Sequence, residues 1–136
     1  MNNKKKKNRS RIYVCHTLYH VYVSLLKEMN RKDGKNEKAD IALSKVFMDF
    51  GDLDKRLQAA GVFDRVLSLD ERRAEDFPKL MKYKKNHKHI VKHMINRIVF
   101  TKKLGRLQEN FFDIDFTEYQ DIYVFCDSDP IGYYLN

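Results

Sequence analysis

The chain has 136 residues, enough for one compact domain with a real hydrophobic core. Apolar residues make up 43% and charged residues 34%, which excludes the weakly hydrophobic composition of a disordered chain. Lys and Arg number 27 against 19 Asp and Glu, a net charge of +8, so the expected partner is anionic: nucleic acid, an acidic membrane surface, or an anionic glycan or nucleotide.

Residues 1–10 (MNNKKKKNRS) form a polar, basic leader with nothing to bury and are expected to be disordered. Its Lys4–Lys7 run can touch phosphates or lipid headgroups, or simply be solvated. Arg11–Cys15 (RIYVC) reads as a buried strand. Thr17 can cap the helix that follows. Leu18, Val21, Leu25 and Met29 recur at three- and four-residue steps, so Leu18–Asn30 reads as that helix. Arg31–Lys38 is a polar loop. Ala39–Leu43 is a second strand, and Asp49–Gly51 a turn. Asp52–Ala60 is a second helix, with Leu53 and Leu57 on one face and Gly61 placed for a left-handed cap. Phe63 is expected to pack back on its end, and Arg65–Leu69 is a third strand.

A charged connector, Glu71–Asp76, leads into one long helical pattern from Phe77 to about Lys103. Its apolar stripe is Leu80, Tyr83, Ile90, Val91, Met94, Ile95, Ile98 and Val99. Gly105 is a possible break, and Leu107, Phe111 and Phe112 suggest one more short helical piece. Asp121–Cys126 (DIYVFC) is the fourth strand. Ser128 or Asp129 then suits an N-cap and Pro130 a first helical position. The short apolar helix that follows has little stability of its own, so the chain reads as a truncated product, a fragment, or half of a larger architecture.

Strand and helix alternate, and the strands are of the buried, parallel type. The expected fold class is α/β: an open, mostly parallel sheet in the order 3-2-1-4 with flanking helices, over residues 11–136. No apolar run approaches the ~18 residues of a membrane helix, and the run at Ile12–Cys15 is too short for a signal peptide. Two cysteines exclude a disulfide scaffold and a four-cysteine zinc site, and a cytoplasmic address is expected. Cys15 and Cys126 suit small core positions better than nucleophiles.

Ligands of open α/β sheets bind beyond the carboxyl ends of the strands, where strand order reverses. In the order 3-2-1-4 that point lies between the first and fourth strands. Two polar clusters arrive there: Cys15-His16-Thr17-Leu18-Tyr19-His20 and Cys126-Asp127-Ser128-Asp129. Imidazoles, hydroxyls and carboxylates in one cleft suit acid–base work or the binding of a sugar. Asp127 or Asp129 can take a proton from an acceptor hydroxyl, and His16 or His20 can give one to a phosphate. The plainer alternative keeps Thr17 and Ser128 as helix caps and His20 as a half-buried helix residue. No glycine-rich phosphate loop follows the first strand, which argues against a dinucleotide or ATP cofactor. His16 with His20 and His89 with His93 have metal-sharing spacing, but neither pair has an evident third ligand, so no metal is expected. Lys79–Arg106 holds ten Lys or Arg, three His and no acid. Such a basic amphipathic helix can pack its apolar side on the sheet and offer its charged side to a membrane surface or a polyanionic glycan.

The opening R-I-Y-V-C-H-T-L-Y-H-V-Y-V-S-L-L-K (Arg11–Lys27) resembles the first strand and helix of bacterial sialyltransferase-like glycosyltransferases, the lipooligosaccharide group of glycosyltransferase family 52 and its capsule-synthesis relatives. Leu57–Val66 is similar to that domain's helix–Gly–Phe–strand junction, and the terminal Y-V-F-C-D-S-D-P to the strand and helix start that follow. The resemblance implies a GT-B fold of two Rossmann-like halves, of which this chain is the N-terminal, acceptor-side half. It implies a nucleotide-sugar donor, CMP-sialic acid in the family, held mainly by the other half, a capsule or lipooligosaccharide glycan as acceptor, and no catalytic metal. It transfers a location only: the loops at His16–His20 and Asp127–Asp129 should face the cleft. The chain alone is then expected to be inactive and cytoplasmic, with a peripheral position at the inner face of the cell membrane open to it. A non-catalytic basic module for nucleic acid or anionic membrane is the alternative. Nucleic acid ranks lower because no recognition motif is present. A small stand-alone hydrolase lacks a nucleophile elbow.

Overall fold

The computed structural model describes residues 8–80, 90–108, 112–125 and 130–135. The expected leader falls mostly outside them. The chain divides into two compact units, Met1–Asp70 with Asp113–Phe125, and Glu71–Phe112 with Cys126–Asn136.

The first unit holds the sheet. Its strands are β1 (Arg9–Cys15), β2 (Asp40–Ser44), β3 (Val66–Leu69) and β4 (Tyr119–Val124), with helices α1 (Leu18–Met29) and α2 (Leu53–Ala60) between the first three. The four strands are all parallel and lie in the order β3-β2-β1-β4. The fold is therefore an open α/β sheet of Rossmann-like type, as expected. Register pairs Val14 with both Ala42 and Val124. β1 begins at Arg9, inside the stretch read as leader, and β4 runs two residues earlier than expected.

Side chains alternate along each strand, so Tyr13, Cys15, Ile41 and Leu43 share one face. They are buried together with Val21 of α1, Leu57 of α2, and Phe50 and Phe63. Gly61 ends α2 at φ 67°, the left-handed cap that a side chain would strain. Phe63 packs into this core beside Leu57, as expected. Ile12, Val14 and Ala42 point to the other face and are buried as well.

The inward stripe of α1 differs from the expected one. Val21 and Ser24 are buried and Leu25 half-buried, while Leu18 and Met29 are exposed. The stripe is Val21-Ser24-Leu25-Glu28, with two polar members whose polar atoms are bonded. The Ser24 hydroxyl donates to the His20 carbonyl at 2.8 Å. The Glu28 carboxylate receives Arg11 Nε and Nη2 at 2.7 and 2.5 Å and the Tyr13 hydroxyl at 2.7 Å.

A second polar knot joins the amino ends of the strands. Asp40, 1% exposed, accepts from Arg9 Nη1 at 3.0 Å, from Arg65 Nη2 at 2.8 Å and Nε at 3.0 Å, and from the Tyr119 hydroxyl at 2.6 Å. The Arg65 backbone N–H adds a bond to its other oxygen at 3.1 Å. The Asp40 hydrogen bond raises the Arg65 guanidinium above its ordinary value. Burial, and then the bond to Asp40, raises Tyr119 from 10.0 to about 12.

The second unit contains α3 (Ile90–Gln108) and α4 (Pro130–Leu135). The expected single helix from Phe77 is corrected here. Residues 78–80 form only a 3₁₀ turn, residues 81–89 lie outside the described ones, and α3 runs through Gly105 without a break. Phe112 is not helical, so the expected extra helical piece does not form there, and Phe111 lies outside the described residues. The inward face of α3 is Phe100-Leu104-Leu107, packed with Phe77 and Leu80. Five of the residues expected to bury, Ile90, Val91, Met94, Ile95 and Ile98, are instead exposed. Buried Gln108 grips the Arg72 backbone with both amide atoms, at 2.6 and 2.8 Å. The Glu71 carboxylate receives the Ile131 N–H of α4's first turn at 3.0 Å, a cap supplied from elsewhere in the chain.

Candidate functional site

The carboxyl ends of β1 and β4 emerge side by side, because the two strands are parallel neighbours. At the end of β1 the chain turns through His16 and Thr17 into α1. Thr17 is the N-cap, and its Oγ1 accepts from the His20 backbone N–H at 3.3 Å. The capping role left open in the sequence is thus a fact of the structure.

His20 lies in the first turn of the helix and is half-buried. Its ring is stacked on Phe125, just past β4, with centroids 4.4 Å apart and planes at 5°. Its Nδ1 accepts the His16 backbone N–H at 3.1 Å. A neutral imidazole whose Nδ1 accepts carries its proton on Nε2. The chain therefore holds His20 in one orientation and one tautomer.

His16 is 1% exposed, its ring against Phe47 at 5.5 Å and edge-on to His20 at 6.1 Å. Burial removes it from direct contact with a ligand and leaves it a support for His20. Tyr19 is 70% exposed. Comparison with family models, with curated proteins and with solved structures found no match.

Asp127, Ser128 and Asp129 lie outside the described residues, as does Cys126. Cys15 is fully buried beside the Ser24 hydroxyl at 3.4 Å, and burial lifts its thiol from 9.0 to about 12. A thiol so raised is not a nucleophile near neutral pH. Among the described residues no group of three or more His, Cys, Asp or Glu forms a metal site. Nor is any described helix long and apolar enough to cross a membrane.

Phe47, Phe125 and Ser24, which hold this region in place, were not among the expected site residues. Phe125 was legible as a strand residue, but its stacking on His20 depends on β4 lying beside β1. A cavity of about 440 Å³ opens at the opposite, amino end of the strands, lined in part by Arg9, Arg11, Asp40 and Asp64. Its two arginines are already engaged, since Arg9 bridges Asp40 and Asp64 and Arg11 is held by Glu28. That cavity is part of the scaffold.

Proposed function

We propose that this chain is the N-terminal, acceptor-side lobe of a glycosyltransferase similar to the bacterial sialyltransferases, acting in capsule or lipooligosaccharide assembly. The observation that carries the reading is the reversal of strand order between β1 and β4, with an oriented, half-buried imidazole standing at it. Tyr19 beside it offers an exposed aromatic ring to a sugar.

In the proposed reaction an acceptor hydroxyl oxygen attacks the anomeric carbon of a nucleotide-sugar donor. The bond from that carbon to the phosphate oxygen breaks, and the nucleotide leaves with the electron pair. Asp127 or Asp129 takes the hydroxyl proton, and the departing phosphate leaves as the anion with a hydrogen bond from the His20 Nε2–H, which keeps its proton. Thr17, Tyr19 and Ser128 contact the substrate, with His16 behind them. The donor is held mainly by a second lobe, so this chain alone turns over no donor.

The test is calorimetric titration of a lactose-type acceptor into the purified chain, beside a transfer assay with labelled CMP-sialic acid. Acceptor binding that weakens roughly tenfold in Tyr19→Ala is expected, without transfer. No acceptor binding, or binding indifferent to Tyr19, sinks the reading. Robust turnover by the chain alone sinks its half-enzyme form. The second reading, a non-catalytic basic module for nucleic acid or anionic membrane, is favoured by the acid-free run Lys79–Arg106. It predicts binding that falls steeply with salt. A peripheral position at the inner face of the membrane is compatible with both.

A further inference from the structure

Helix α3 has two apolar faces, and among the described residues only one is packed. Phe100, Leu104 and Leu107 pack inward. Ile90, Val91, Met94, Ile95 and Ile98 are between 53% and 79% exposed. At about 100° per residue these five fill one arc of roughly 140° over the first half of the helix. Arg97 borders the arc on one side and Lys92 lies beyond its other edge. The helix carries no Asp or Glu anywhere.

We propose that this half of α3 is a docking surface for an anionic lipid bilayer, the helix lying in the plane of the interface. The apolar arc enters the boundary between headgroups and acyl chains, and the flanking cations meet lipid phosphates. Both halves of the pattern are needed to choose the occupant. Nucleic acid or a polyanionic glycan would match the cations but leave five large apolar side chains without a partner. A second copy of the chain would match the apolar arc but set two acid-free cationic helices against each other. Anionic lipid satisfies both. The proposal stands apart from the transferase reading, since it uses no residue of the β1–β4 end.

The chain contains no Trp, so Ile95→Trp introduces a single reporter at an exposed position. The full chain carrying it is mixed with vesicles of phosphatidylcholine alone, and of phosphatidylcholine with phosphatidylglycerol. A blue-shifted emission with the anionic vesicles only, reduced at high salt, is expected. In sedimentation, Met94→Asp with Ile98→Asp should lower partitioning roughly tenfold or more, with an unchanged circular-dichroism spectrum. Three results would overturn the proposal. One is vesicle binding without a Trp shift, which would assign the attraction to cations elsewhere, such as Lys4–Lys7. Another is binding of duplex DNA without binding of vesicles. The last is a dimer in solution that the double substitution dissolves while vesicles are ignored.

Discussion

The carboxylates of Asp40 and Glu28 each gather arginine and tyrosine partners, but the two knots differ in what their removal would strand. Arg11 is 7% exposed and cannot turn its guanidinium to water once Glu28 is gone. Arg9 and Arg65 are 32% and 41% exposed and can. Breaking a buried pair costs about 3 to 5 kcal/mol when the remaining charge stays buried. Glu28→Ala is therefore expected near the top of that range and Asp40→Ala near the bottom, in urea unfolding. An equal cost for the two would show that the stranded charge is not what matters. Cys15 gives a second expectation. Its raised, fully buried thiol should resist alkylation at pH 8 in a Cys126→Ser background until denaturant opens the fold. Neither knot was legible in advance, because a lone Asp at the head of a strand and a Glu late in a helix look like solvated surface. Only the register that sets Asp40 level with Ile12, and hence near Arg9 and Tyr119, makes a partner set of them.

At the scale of elements, the two helices whose faces were misassigned failed for related reasons. In α1 the inward row includes Ser24 and Glu28, which no hydropathy pattern counts as buried, so the eye passes to Leu18 and Met29. In α3 the stripe Ile90–Ile98 has the right period for a core face. Yet the packed row, Phe100-Leu104-Leu107, projects from another side of the same helix. Periodicity reveals that a helix is amphipathic, not which of two apolar rows finds a neighbour. Caps were more readable, since they depend on one residue and its own backbone: Thr17 and Gly61 both do what their chemistry allows. Gly61→Ala is expected to cost about 1 to 2 kcal/mol of stability. Open space surrounds the position, so that cost is backbone strain alone. Thermal unfolding of Gly61→Asn should show a smaller loss, because Asn enters the left-handed region more readily.

For the whole molecule, strand order was the most legible feature. Four buried runs separated by helical patterns leave few right-handed arrangements, and the observed one was among them. The candidate site was legible as a location, the gap between the first and last strands, but not as a set of contacts. The stack of His20 on Phe125 and the burial of His16 under Phe47 arise only once the strands are assembled. The fold also has a titration signature. Tyr13, Cys15 and Tyr119 are all raised by burial, the last two to about 12. The native state keeps these protons at pH values where the unfolded chain has released them. Their contribution to stability is whole below about pH 9 and drains away as pH climbs toward 12. Melting temperature should hold steady from pH 7 to 8.5 and fall above 9, with a shallower fall in Tyr119→Phe. A melting curve flat to pH 12 would show that these groups titrate alike in both states.

The Asp40 knot sits at the amino rim of the sheet, where one carboxylate gathers groups from beside all four strands. The candidate site belongs to the opposite rim. Anchorage and the candidate site are thus lodged at separate ends of the same strands, and a change in the loops of the one need not loosen the other. Such a scaffold can exchange its carboxyl-end turns while its foundation stays put.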